Sequence, residues 1–395
     1  MNTKLERNLK LMMVRSIFLE PLFWGPILIL ALEKLAKMQL SEIYLLEAVC
    51  IIFMLIIDIP TGALADIIGR KKMIVIGQCF MFTDFIFFAS MSKPWHAWVA
   101  NFLWAIGAAF QSGADKALIQ ESCIALGKDR GFYRKYEGKA FGLRLLLFAI
   151  CAPVTSWVAT YNLRLPLLMS LPFIIIPLVT SFMLTEPPRT EEKEFSTYKH
   201  LMQMKEGLLD TTRDKRILWI MLYMCVIGVT SKIWFFTYNP YFEHVGLPLT
   251  LFGWVFFFLN VIAWLSSHWG HIIEELLGDK IIVWFLIPLI GLPIIMMSLV
   301  PIQAMTLMVV FQNIVRGMHG PFFDSMSGRY LRNDTRATVL SVQSSIMSAT
   351  GSIGLLGFGF LLKSIGLLNS LLMLGIITLV CHTLLMRTWG KHFNR

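Results

Sequence analysis

The sequence predicts an all-α polytopic membrane protein with twelve transmembrane helices in two six-helix bundles. Three observations carry this reading. The 395 residues are 56% hydrophobic and only 15% charged, which is more apolar surface than a soluble core can hide. Apolar stretches of about 18 to 26 residues, each able to cross about 30 Å of hydrocarbon as a helix, recur along the whole chain. The one long polar interruption, Thr185 to Lys215, falls near the middle. A cytosolic enzyme is thereby excluded. The chain also has no Gly-x-x-x-x-Gly-Lys-Ser/Thr phosphate loop, no nucleophile elbow and no zinc-ligand spacing, so the expectation is no enzyme activity, no metal and no cofactor.

The apolar stretches lie near residues 11–32, 42–60, 73–92, 95–120, 138–160, 164–184, 216–239, 249–268, 281–299, 302–326, 337–362 and 366–387. The first has no small-residue cleavage site and is expected to remain as the first spanning helix. Residues 1–184 form the expected N-terminal bundle, 185–215 a cytoplasmic linker and 216–395 the C-terminal bundle. The linker opens with Glu186-Pro187-Pro188, and Leu201, Met204 and Leu208 share one face of a surface helix expected over Tyr198 to Leu209. Most of the 35 Lys and Arg fall in alternate loops and tails, at Lys4 to Lys10, Arg70 to Lys72, Lys128 to Lys139, Arg189 to Arg216, Arg329 to Arg336 and Arg387 to Arg395. That alternation marks these segments and both termini as cytoplasmic. The net charge of +10 therefore reports orientation, not affinity for nucleic acid. The six Cys are scattered through apolar segments as packing residues. Short loops and tight length suggest a bacterial inner membrane, with the chain working as a monomer in the lipid bilayer.

Between the second and third stretches lies Gly62-Ala63-Leu64-Ala65-Asp66-Ile67-Ile68-Gly69-Arg70-Lys71-Lys72, a charged turn that must sit at a membrane surface. Gly62 and Gly69 allow close helix approach, and Asp66 offers a carboxylate to a helix N-terminus or a cation. The run resembles the loop signature of the major facilitator superfamily, Gly-x-Leu-Ala-Asp-Arg-x-Gly-Arg-Lys, with Ile67 in place of the first Arg. Gly270 to Lys280 repeats it in the second half, with Glu274 at the offset of Asp66 and one extra residue between the glycines. Such a pair is what a six-plus-six transporter shows. With Arg336-Ala337-Thr338 opening the eleventh stretch, the resemblance covers essentially the whole chain and implies the major facilitator fold. Asp58-Ile59-Pro60-Thr61-Gly62 and Ser112-Gly113-Ala114-Asp115 are similar to the drug-exporter-like branch of drug:proton antiporters. The chain departs from that branch where Phe102, Leu103 and Trp104 stand in place of an Arg, and where only Ala152-Pro153 remains of Gly-Pro-x-x-Gly-Gly.

Ionisable side chains at membrane depth cost about 2.5–3.5 kcal/mol on insertion scales and default to functional candidates. Glu20, near the midplane and followed by Pro21, Gly25 and Pro26, is one candidate for proton coupling, with a pair to Arg15 as the structural alternative. Asp84 is the other. Asp58, Asp115, Lys116 and Arg144 fall at the cytoplasmic ends of their helices, where Arg144 is expected to bridge Asp115 or Asp58. With Gly62, Asp66, Gly69, Arg70 and Glu274 they compose an expected cytoplasmic gate. Asn101, Trp104, Gln111 and Asp115 share one helical face, expected to line a substrate cavity. Lys232, Gln312 and Arg316 form the expected opposite wall, favouring an anionic or zwitterionic substrate unless the cations pair with Glu20 or Asp84. His319 reads as a hydrogen-bonded structural residue more than as a proton shuttle. Ser341, Ser344, Ser345, Ser348 and Ser352 follow one helix face, as a packing surface first and a hydroxyl-lined wall second.

The expected function is secondary active transport of a small amphipathic molecule by alternating access, as proton-coupled export through an antiporter. Two alternatives stand beside it: a proton symporter importing an anionic or zwitterionic metabolite or metal chelate, and a transporter-like lipid flippase, sensor or scaffold. The residues do not identify the cargo.

Overall fold

A computed structural model describes residues 2–188, 202, 209, 211–331 and 336–393, and the described residues are helical almost throughout. The expected surface helix over Tyr198 to Leu209 lies outside the described residues, apart from Met202 and Leu209. The helices are α1 (Asn2–Ile17), α2 (Leu28–Lys34), α3 (Leu40–Ile68), α4 (Arg70–Ser90), α5 (Pro94–Ser112), α6 (Ala114–Ala125), α7 (Arg130–Ala159), α8 (Leu165–Met183), α9 (Lys215–His244), α10 (Leu249–Leu286), α11 (Pro288–Leu299), α12 (Val309–Gly328) and α13 (Arg336–Phe393).

These helices group into the twelve membrane passes read from the sequence. The first pass is α1 and α2 joined through a non-helical break and a short 3-10 turn at Gly25–Ile27. The fourth is α5 and α6, divided at Gly113. Two long helices each supply two passes by bending at a glycine, α10 at Gly278 and α13 at Gly366. Eight helices among the described residues are long and apolar enough to cross a membrane on their own. Their outer faces keep large apolar side chains exposed, such as Ile56, Trp157, Ile353 and Phe360. Contiguous exposure of this kind is stable against lipid and not against water.

Local chemistry fixes where the helices start. Pro94, Pro166 and Pro288 occupy first-turn positions, where the missing N–H costs nothing. Asp129 caps α7 by accepting from the Phe132 amide at 2.8 Å, and Asp214 caps α9 by accepting from the Arg216 amide at 2.9 Å. The α4 N-terminus is capped from far along the chain: the Glu186 carboxylate accepts from the Arg70 and Lys71 amides at 2.7 and 2.8 Å. A carboxylate at that position also meets the positive end of the helix dipole.

The chain divides into two compact units. One takes the described residues of Met1–Met38, Val49–Lys199 and Leu249–Phe257; the other takes those of Gln39–Ala48, His200–Pro248 and Phe258–Arg395. In the first unit, α4 and α5 approach so closely at Gly77 and Gly107 that a Cβ on either would stand 2.8 or 2.7 Å from the other's carbonyl oxygen. Leu9, Met12, Met73, Ile74, Ala114 and Leu118 form its core near the ends of α1, α4 and α6. Asn8 ties α1 to the end of α8, donating to the Thr185 carbonyl at 2.6 Å and accepting from its amide at 2.9 Å.

In the second unit α9 is the central helix, with Tyr223, Ile227, Trp234 and Tyr241 fully buried. It is tied to α13 by a hydroxyl contact between Thr230 and Thr378 at 2.9 Å and by the Trp219 indole donating to the Leu385 carbonyl at 3.0 Å. Tyr44, from the start of α3, packs here as well, with its hydroxyl 2.5 Å from that of Thr237.

Candidate functional site

Three polar constellations stand out in the two units. The first is centred on Arg15, which sits on α1 and is fully buried. Its guanidinium donates to Asp115 Oδ2 at 2.7 Å, to Ser181 Oγ at 3.2 Å, to Gln78 Oε1 at 3.3 Å and to Gln111 Oε1. Five donors in a rigid fork suit this role, because one Arg can satisfy acceptors on α4, α5, α6 and α8 at once. The expected pair of Glu20 with Arg15 is therefore not formed. Glu20 lies in the break of the first pass, where Arg144 Nη1 reaches its Oε1 at 3.7 Å. The expected bridge from Arg144 to Asp115 or Asp58 is likewise absent, since Arg15 has taken Asp115. Asp58 accepts instead from the Ser112 hydroxyl at 2.5 Å.

The proposed cavity face of the fourth pass is also revised. Gln111 is buried against Gly77 and bonded to Arg15, and Asn101 donates back to its own helix at Ala97. Trp104 is half-buried. Asp115, at the start of α6, is taken up by Arg15. Asp84 lies mid-helix in α4, half-buried, with no hydrogen bond or ion pair among the described residues.

The second constellation is the pair of loop copies. Gly69 (φ 99, ψ 152) and Gly278 (φ 72, ψ 161) both occupy backbone space open essentially to glycine alone. The residue after each glycine makes an ion pair to the end of a following pass, with the charges exchanged. Arg70 Nε lies 3.5 Å from Glu121 of α6 in the first unit. In the second unit Asp279 accepts from Arg329, just past α12, at 2.6 Å, and Glu274 meets the same guanidinium at 2.6 Å. Arg329 is thereby held protonated above its already high ordinary value, first by its hydrogen bond to Asp279. Gly62 and Asp66 lie on the backbone of α3, and the surroundings of Gly62 and the side chain of Asp66 fall outside what the structure describes. Glu274, expected as the counterpart of Asp66, has Arg329 as its partner.

The third constellation is a cavity of about 350 Å³ in the second unit. Its polar lining is Lys232 from α9, Asp324 from α12, and Gln343, Ser344 and Ser348 from α13. Met224, Leu340 and Met347 supply the apolar part, and Gly228 leaves room on α9. The stem of Lys232 lies against α13, its Cδ 3.3 Å from where a Cβ on Gly351 would stand. Glu47 from α3 interacts with it electrostatically within the same unit. The two other expected wall residues are engaged elsewhere. Gln312 accepts from the Tyr238 hydroxyl at 2.5 Å, and Arg316 donates to Asn260 at 2.9 Å. His319, in the tautomer that carries its proton on Nδ1, donates to the Val315 and Arg316 carbonyls at 3.1 Å, a structural role. Ser344 and Ser348 line the cavity, so the serine face of the eleventh pass is a hydroxyl-lined wall at these two positions, the role ranked second from sequence.

Arg15, Glu47, Glu121, Glu186, Gln343 and Arg329 were not singled out from the sequence as site residues. Arg15 and Glu47 carried a readable signal, since each is an ionisable side chain inside an apolar stretch. The others had none beyond their residue type.

Residues 16–354 match the family profile described as the Major Facilitator Superfamily. The chain belongs to the Major Facilitator Superfamily. It is accordingly a multi-pass membrane transporter and not an enzyme. A curated relative, the multidrug resistance protein MdtH of Baumannia cicadellinicola subsp. Homalodisca coagulata, is 31% identical over 109 residues, which is 26% of this chain and 24% of that protein. The match thus spans about a quarter of the relative's length. Among solved structures, the nucleoside transporter NupG superposes with a TM-score of 0.78 at 14% identity, covering 98% of each chain. A bacterial homologue of the human lysosomal transporter Spinster, in an inward-facing and unoccupied conformation, gives 0.74 at 13% identity over 99% of this chain and 98% of that one. At such identities the superfamily members share the fold alone.

Proposed function

We propose that this superfamily member moves a small amphipathic solute across the membrane by alternating access, driven by protons, in the direction of export. The observation that carries the reading is the cavity of the second unit, where Lys232, Gln343 and two serine hydroxyls face the same space as two methionines and a leucine. A mixed lining of this kind binds a molecule with one polar end and one apolar end, and methionine adapts to varied shapes. The multidrug resistance relative is in keeping with export.

Coupling falls to Asp84 and Glu20. Asp84 is a membrane-embedded carboxylate with no described partner, so taking up a proton breaks no existing bond. Glu20, which lies 3.7 Å from the Arg144 guanidinium in the break of the first pass, is the second candidate. The pairs Arg70 with Glu121, and Arg329 with Glu274 and Asp279, brace the cytoplasmic end of each unit separately and are the candidates for contacts that change between transport states. Both termini lie in the cytoplasm on this reading, in a bacterial inner membrane, with the protein acting as a monomer.

The second reading, symport of an anionic or zwitterionic metabolite, is favoured by the position of Lys232 in the cavity lining. Proteoliposomes with an imposed pH gradient separate the two. Adding an amphipathic dye should drive protons in the direction opposite to the dye, and Asp84→Asn should abolish proton movement while leaving dye binding in place. Protons and solute moving together would replace export with symport. Normal coupling in both Asp84→Asn and Glu20→Gln would remove these carboxylates from the mechanism.

A further inference from the structure

Gln343 on α13 is only 2% exposed, and both its amide nitrogen and its amide oxygen lack a hydrogen-bond partner. Buried amides are almost always satisfied, and an unmet one is a standing cost to the fold. Here the residue belongs to the wall of the second-unit cavity, with Ser344 the next residue on the same helix and Ser348 one turn further on. An unpaired donor and an unpaired acceptor side by side in one plane define a specific complement. That complement is a second planar group with an acceptor next to a donor, as in a carboxamide or the cis-amide edge of a heterocycle. The same bidentate logic lets glutamine read a purine edge.

The surrounding charges narrow the class further. Lys232 faces the field of Glu47, and Asp324 lines the same cavity. The lining thus carries one basic and one acidic side chain, with a further acid acting on the base, so neither a free anion nor a free cation finds a wall of a single opposite sign. Lys232 keeps ammonium hydrogens with which to meet a ligand acceptor. Ser344 and Ser348 provide hydroxyls that donate or accept as required.

We propose that this cavity binds a neutral planar solute through a carboxamide or cis-amide edge held by Gln343, with Lys232 and the two serines meeting its remaining acceptors and hydroxyls. The proposal deepens the transport reading by naming the substrate class, and it rests on that reading for its physiological meaning. Binding itself can be measured without transport. A site made this way discriminates strongly, because an analogue without the amide edge leaves the glutamine unpaired.

The test uses three aromatic probes of similar size and different charge, benzamide, benzoate and benzylammonium, titrated into the full-length protein in detergent, with uracil as a cyclic-amide probe. Benzamide and uracil should bind, and benzoate and benzylammonium should bind at least about tenfold more weakly, as expected when one paired amide is lost. Gln343→Leu should weaken benzamide and uracil by about 10- to 100-fold. The same variant should raise the unfolding temperature of the ligand-free protein, because an unpaired buried amide has been replaced by an apolar group of similar size. Gln343→Asn, which shortens the amide by one methylene, is the second variant and should retain part of the binding. Equal affinity for benzamide and benzoate, or unchanged benzamide affinity in Gln343→Leu, would overturn the proposal. Failure of proton coupling in proteoliposomes with this binding pattern intact would instead overturn the transport mechanism and leave the site standing.

Discussion

Replacing Arg15 with Met removes a side chain that reaches from α1 to α4, α5, α6 and α8 at once through polar contacts. In the folded protein Arg15 is fully buried, while the Asp115 side chain is 21% exposed. Taking away one member of a buried pair leaves the other charge without compensation, at about 3–5 kcal/mol. Partial exposure of Asp115 lets water recover some of this, which places the expected loss at the lower end, about 3 kcal/mol. Gln78 and Ser181 lose a donor as well, each worth about 0.5–1.5 kcal/mol net. The double replacement Arg15→Met with Asp115→Leu removes both charges together and should recover most of the loss, since apolar replacement of a whole buried pair is often neutral. Reversible unfolding in mixed detergent micelles measures Arg15→Met, Asp115→Leu and the double variant. The coupling between the two sites should be at least about 2 kcal/mol, as for residues in one bonded network. An Arg15→Met variant within about 0.5 kcal/mol of the parent, or a double variant whose loss equals the sum of the singles, would refute the assignment of this cluster as the polar core of the unit.

Two further outcomes follow from the helix starts. Gly69→Ala and Gly278→Ala both force a side chain into backbone space reserved for glycine, at about 1–3 kcal/mol each. Gly69→Ala should be the worse, because its Cβ would also stand 3.0 Å from the Glu186 carboxylate that caps α4, whereas nothing lies within 4 Å at Gly278; unfolding midpoints in the same micelles rank them. At α9, the Arg216 side chain, by hydrogen bonding, holds the Asp214 carboxyl below its usual range. A group depressed on folding contributes fully above its unfolded value near pH 3.9 and loses that contribution as the pH falls through its folded value. Hydrogen exchange at the amides of Arg216 and Leu218, corrected for the intrinsic pH dependence, should therefore show protection that declines only below about pH 4, and Asp214→Asn should flatten that decline.

The glycine-bounded loop was legible because its two requirements are local. A backbone region closed to other residues demands glycine at Gly69 and again at Gly278, and a basic cluster can sit only at the membrane surface. The glycines and the acids near them could thus be found from spacing alone. The ion pairs could not. Arg144 meets Glu20 and leaves Asp115 to Arg15, because partner choice depends on which helix faces pack and on the non-helical break after Ile17. Glu186 caps a helix more than a hundred residues earlier in the chain, a relation with no trace in local sequence.

By itself the sequence determined the membrane class and the twelve passes, since hydrocarbon thickness and backbone hydrogen bonding leave a chain this apolar almost no other solution, and the resemblance carried by Gly62 to Lys72 pointed to the superfamily. Only the tertiary structure decided the wiring of the buried charges and the position of a cavity. The physical reason is that an intramembrane charge must find some partner or water, which residue type alone reveals. Which partner it finds depends on helix rotation and on breaks of a few residues, and these put Arg15 inside a bundle, Lys232 in a cavity lining and Gln343 beside it with an amide still to be paired.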